Sequence, residues 1–173
     1  MDNARAGSMA GSTVGKGRRR VEIENFSAGE FDRRLALIER KLGERGLDGL
    51  IVTGITNLPY VAGDAVGWMT NSGATLSLTA AVIGKGEARM MVRLYEAESA
   101  RLLGPRWLTV VPYSGDADDP RNPPDVLAEL LEGMGLGSAR IGVELDIPGL
   151  TPGDLDHLKR ALPNARFADA SDV

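Results

Sequence analysis

The chain has 173 residues, 43% of them hydrophobic and 25% charged, which suits one packed core and excludes a fibre or a wholly disordered chain. It contains no cysteine, so disulfides, thiolate metal sites and a cysteine nucleophile are excluded, and a cytoplasmic location is the plain expectation. The formal net charge of −4 argues against nucleic acid as a partner, and no apolar run approaches the roughly 20 residues of a membrane helix, so no membrane partner is expected either.

The charge is unevenly spread. Arg5, Lys16, Arg18, Arg19 and Arg20 face only Asp2 within the first twenty residues, in a background of Gly, Ser and Ala. Residues 1–25 therefore read as a flexible basic leader, with a transit peptide or a basic arm for polyanions as the open alternatives.

Ordered structure is expected from about residue 26. Ser27 and Glu30 have capping-box spacing and predict a helix start. Phe31, Leu35, Ile38 and Leu42 form its apolar stripe, Arg33, Arg34, Arg40 and Lys41 are expected to face elsewhere, and Gly43 and Gly46 end it. Asp48 to Val52 is a short apolar run of the kind found in strands covered on both faces. From Thr53 to Gly63 a loop is expected, with room for about one helical turn. Leu76 to Ile83 and Glu87 to Val92 predict two strands joined through Gly84-Lys85-Gly86 as a tight hairpin.

A helix over Tyr95 to Leu103 and a strand over Trp107 to Val111 follow. The irregular stretch from Pro112 to Pro124 reads as a surface loop. Pro123 to Met134 is a helix with Val126, Leu127, Leu130, Leu131 and Met134 on one side, and Arg140 to Leu145 a strand. Thr151 then caps a helix with Pro152 in its first turn and Leu155, Leu158 and Leu162 inward, before a last short strand around Phe167. The expected fold is a single three-layer α/β domain over residues 26–173, with a mixed, mainly parallel sheet, an antiparallel hairpin and helices on both faces.

Chemistry-bearing constellations are scarce. His157, the single histidine, falls nearly opposite Leu155 on its helix and is expected to face solvent, with no role as a base or ligand. Asp116, Asp118 and Asp119 lack the central glycine of an EF-hand loop, where Arg121 stands instead. Gly133-Met134-Gly135-Leu136-Gly137 follows a helix and leads into a strand, the reverse of a phosphate-binding turn, and reads as a helix stop. Asn71-Ser72-Gly73 is no nucleophile elbow. Glu144 and Asp146 alternate at a strand end, compatible with a solvated face or a metal pair. The stretch from Asn57 to Asn71, which carries Tyr60, Trp68 and Met69, follows a buried strand, the usual position of a ligand loop in α/β folds; its aromatics serve either packing or ligand contact.

Taken together, Phe31-x-x-Arg34, Arg45-Gly46-Leu47-Asp48-Gly49-Leu50-Ile51-Val52-Thr53, Asn57-x-x-Tyr60-x-x-Gly63, Arg140-Ile141-Gly142-Val143-Glu144 and Phe167-Ala168-Asp169-Ala170-Ser171 resemble the N-terminal domain of the creatinase/prolidase family, over roughly residues 26 to 173. The resemblance implies a non-catalytic domain that precedes a pita-bread catalytic domain absent from this chain. In prolidase and aminopeptidase P that second domain holds two metal ions, so the resemblance implies Mn, Co or Zn in a longer parent and no cofactor here. It implies as partners the parent's own catalytic domain and a second subunit of a homodimer. By the same resemblance Trp68, Met69, Asn71 and Arg93 are candidates for substrate contact, Arg93 as a clasp for a carboxylate or else in a surface ion pair with Glu96 or Glu98. Asn57, Tyr60 and Gly63 structure the loop. A stand-alone module that binds a small molecule or a protein is the alternative.

Overall fold

The computed structural model describes residues 27–63, 78–114 and 121–173. Within them, helices α1 (Ala28–Arg45), α2 (Leu58–Ala62), α3 (Ala97–Leu103), α4 (Pro123–Gly133) and α5 (Pro152–Ala161) alternate with strands β1 (Gly49–Val52), β2 (Ala80–Gly84), β3 (Glu87–Arg93), β4 (Leu108–Tyr113), β5 (Arg140–Val143) and β6 (Arg166–Asp169). The basic leader, Trp68, Met69, Asn71 to Gly73 and the aspartates at 116, 118 and 119 lie outside the described residues.

The helix ends follow the capping chemistry of the sequence. Ser27 Oγ accepts from the Glu30 amide at the start of α1, and Gly46 closes that helix with φ +61°. Thr151 and Asp154 form a reciprocal capping box at the start of α5, with Pro152 in the first turn. Asn122 caps α4 through the Asp125 amide.

The six strands run in the order β4-β3-β2-β1-β5-β6. β2 is antiparallel to both neighbours, while β3–β4, β1–β5 and β5–β6 pair in parallel, so β2 alone runs against the other five. The β2–β3 hairpin turns through Lys85 and Gly86, both at positive φ (52° and 78°), the pair of left-handed residues that matches strand twist in a two-residue turn.

Strand alternation divides the core in two. Leu50, Val52, Ala81, Ile83, Met90 and Val92 pack on one face under α1, α2 and α3. Ile51, Val82, Met91, Ile141 and Val143 pack on the other under α4 and α5. The expected three-layer architecture is therefore observed.

Some boundaries differ from expectation, each for a physical reason. β4 runs on through Pro112 and Tyr113, because β4 is an edge strand and a proline without an N–H costs nothing on its open side. The helix expected from Tyr95 opens as a single 3-10 turn, Leu94–Glu96, before α3. β2 begins at Ala80, and β5 stops at Val143 because Glu144 leaves the ladder to serve a neighbouring loop.

Arg34 was expected on the outer side of α1 and is instead only 7% exposed. The reason is that Glu30 and the Tyr60 carbonyl satisfy its guanidinium in the gap between α1 and α2. His157 likewise does not simply face solvent: its Nε2 lies 2.5 Å from Asp125 Oδ1, which ties α5 to the first turn of α4.

Candidate functional site

Because five strands share one direction, their carboxyl ends gather on one edge of the sheet: Val52 of β1, Arg93 of β3, Tyr113 of β4, Val143 of β5 and Asp169 of β6. Ligand crevices of open α/β sheets lie at such an edge, where neighbouring strands connect in opposite directions. Here that point falls between β1, which continues to β2 on one side, and β5 on the other.

Glu144 occupies this point, and it is 4% exposed. Its Oε2 accepts from the amides of Thr53 at 2.6 Å and Gly54 at 2.8 Å, and its Oε1 from Asn57 Nδ2 at 2.6 Å. The carboxylate thus anchors the chain where it leaves β1 for α2. This corrects the solvated reading for Glu144, which is buried, while Asp146 stays exposed and its backbone amide donates to Ser171 Oγ at 3.2 Å. Among the described residues no three of His, Cys, Asp or Glu converge to hold a metal ion, and no chemical step is derived through one.

On the far side of Asn57, the two motifs that open the domain interlock. The Arg34 guanidinium lies 4.5 Å from the centroid of the Tyr60 ring and 5.6 Å from that of Phe31, and its Nη1 donates to the Tyr60 carbonyl at 3.1 Å. Gly63 has φ +63° and ψ −149°, and a Cβ there would meet Phe31 Cζ at 2.8 Å. A side chain at position 63 is thus excluded both by backbone conformation and by space.

At the other end of the edge, Arg93 lies over two rings, 5.5 Å from the centroid of Tyr113 and 5.9 Å from that of Tyr95. The Tyr113 phenol donates to the Leu78 carbonyl at 2.8 Å. Burial pushes this phenol up to about 12, with Arg93 pulling the other way. Burial also raises the Glu96 carboxyl above its usual range, against the opposing charge of Arg93. Arg93 is therefore posed by aromatic faces. Beside it Leu94 and Tyr95 are 59% and 63% exposed, and Leu102 on the following α3 is 50% exposed.

A third feature closes the β6 end. The Ser171 hydroxyl donates to Asp169 Oδ1 at 2.6 Å and accepts from the amides of Leu145 at 2.9 Å and Asp146 at 3.2 Å. The hydrogen bonds from Ser171 hold the Asp169 carboxyl below its ordinary range. The segments after β5 and β6 are joined by this one hydroxyl.

Of the residues singled out from sequence, Asn57, Tyr60 and Gly63 share one constellation at the β1–α2 end, and Arg93 stands separately at β3. Sequence reasoning missed Arg34 and the anchoring role of Glu144. A signal for Arg34 was its place one turn after Phe31, with Glu30 four residues earlier. A signal for Glu144 was a carboxylate directly after an apolar strand.

Comparison with known proteins agrees with this geometry. A family model described as the Creatinase/Prolidase N-terminal domain matches residues 34–173. Among solved structures, the Xaa-Pro dipeptidase from Bacillus anthracis superposes with a TM-score of 0.60 at 22% identity, over 84% of this chain and 34% of that one. An Xaa-Pro aminopeptidase structure from Streptococcus pyogenes gives 0.61 at 20% identity, over 83% of this chain and 94% of that one. The dipeptidase from Pyrococcus horikoshii gives 0.56 at 25% identity, over 80% and 34%. The chain thus spans about a third of the Bacillus and Pyrococcus proteins. No curated protein sequence matches it. With the sheet order, the interlocked motifs and a family match over most of its length, the chain belongs to the Creatinase/Prolidase N-terminal domain family.

Proposed function

We propose that the chain is the non-catalytic N-terminal domain of a creatinase/prolidase-like hydrolase, an Xaa-Pro dipeptidase or related metallopeptidase or amidinohydrolase, serving dimerisation and active-site closure. The observation that carries this reading is the exposure of Leu94 and Tyr95 next to the Arg93 guanidinium, followed on α3 by Leu102, each at least half exposed. Large apolar side chains grouped in water favour a contact surface. A cation at its border suits recognition of a carboxylate in two-point geometry.

On this reading the domain comprises residues 26–173 after a leader of residues 1–25, and its partners are the parent's catalytic domain and a second subunit. A divalent Mn, Co or Zn belongs to that catalytic domain. Arg93, together with Trp68, Met69 and Asn71, reaches the substrate when the domain closes. The length of the Bacillus protein beyond its matched third supports the presence of a further domain in such a parent.

The dimer contact is tested by light scattering on the purified chain. The expected result is a dimer that Tyr95→Glu combined with Leu102→Glu converts to a monomer with an unchanged circular dichroism spectrum. A native chain that stays monomeric at every concentration overturns the contact.

A further inference from the structure

A pocket of about 320 Å³ opens at the carboxyl ends of β1, β5 and β6, bounded by Ile38 of α1, Val52 of β1, Tyr60 of α2, Asn57 and Glu144, and by Ser171, Asp172 and Val173, whose last two carbonyls accept from Lys41 Nζ at 2.9 Å each. Its volume is at the small end of the range of ligand sites, and its walls are mostly aliphatic and aromatic.

Glu144 gives this pocket its chemistry. A carboxylate has about four acceptor positions, and three are filled here, two on Oε2 by backbone amides and one on Oε1 by Asn57. All three donors are neutral, and among the described residues no cation pairs with Glu144. The three N–H donors stabilise the carboxylate but bring no counter-charge, so a cation is the complementary fourth partner. The remaining acceptor position is on Oε1, the oxygen that also faces Asn57.

Asn57 supplies a second acceptor. It stands at the N-cap of α2, yet its side chain makes no capping bond, and its amide nitrogen is spent on Glu144. Asn57 lines the same pocket, and its Oδ1, on the arm of the amide away from Glu144, keeps its acceptor capacity. Ser171 Oγ, by contrast, is engaged by three partners and adds no capacity.

We infer that this pocket binds a small organic ammonium ion with a short aliphatic body, the ammonium donating to Glu144 Oε1 and Asn57 Oδ1 and the aliphatic part lying against Ile38, Val52 and Tyr60. A guanidinium would need a two-oxygen face, and Glu144 Oε2 is already filled by the amides of Thr53 and Gly54, so the compact ammonium is the better fit.

The test is amide chemical-shift mapping by NMR on the full chain, titrated in parallel with n-pentylammonium chloride, n-pentanol and sodium chloride. Expected are saturable shifts at Thr53, Gly54, Val61 and the Asn57 side-chain amide with n-pentylammonium, with n-pentanol binding about tenfold more weakly. Glu144→Gln is expected to remove the preference for the ammonium. Equal binding of alcohol and ammonium to the native chain overturns the inference, as do shifts that never saturate or that sodium chloride reproduces. These native-chain comparisons stand whether or not Glu144→Gln folds.

Discussion

The guanidinium of Arg34 stacks on the ring of Tyr60, 26 residues later, at 4.5 Å, and caps the same residue's carbonyl at 3.1 Å. One side chain of α1 thereby fixes both the ring and the backbone of α2, and with them the end of the segment from Thr53 to Asn57 that lies against Glu144. Arg34→Ala is expected to destabilise the domain by about 1.5–3 kcal/mol, the range of a hydrogen bond to a charged group together with the ring contact. Arg34→Lys keeps the charge but loses the planar fork, and about half the loss is expected to remain. Urea denaturation midpoints of the three proteins decide it; a native midpoint for Arg34→Ala contradicts the account.

Gly63 tests the same junction from the other side. With φ +63° and ψ −149° and only 2.8 Å from a virtual Cβ to Phe31 Cζ, Gly63→Ala is expected to cost about 1–3 kcal/mol. Combining it with Phe31→Leu removes the clash and leaves the backbone strain, so the two changes should be less than additive. A double-mutant cycle by chemical denaturation measures this, and strict additivity would show that ring and glycine do not meet.

How much of this was legible in advance differs by level. The caps at Ser27 and Thr151, the hairpin at Lys85-Gly86 and the apolar runs are local signals, and the layers follow from them because alternation in β1 and β2 sends neighbouring residues to opposite helices. The interlock of Arg34 with Tyr60 joins residues far apart in sequence, and helical periodicity places Arg34 only at the border of the apolar stripe, where a charged residue ordinarily turns to water. Glu144 was obscure for the same reason: its partners at Thr53, Gly54 and Asn57 are about ninety positions away, and nothing local distinguishes it from Asp146. The His157–Asp125 contact likewise depends on how α4 and α5 dock.

Acid sensitivity should be traceable to Glu30. Its carboxyl is lowered to about 2 from the ordinary 4.5, first through the hydrogen bond from Arg33 and then through that from Arg34. A folded-state pKa below the unfolded one contributes stability that is fully present above about 4.5 and is lost as the pH falls toward about 2. Glu30→Gln should therefore flatten the fall in melting temperature between those two pH values and lower stability at neutral pH. Melting curves across that window check it; an acid limb with unchanged steepness contradicts the assignment.

The most direct test of the accessory role is to incubate the purified chain with Mn²⁺ or Co²⁺ and a panel of Xaa-Pro dipeptides plus creatine, following product release and measuring bound metal. The account predicts no turnover and no stoichiometric metal. Turnover that copurifies with the chain would contradict it and place a catalytic centre within the chain itself.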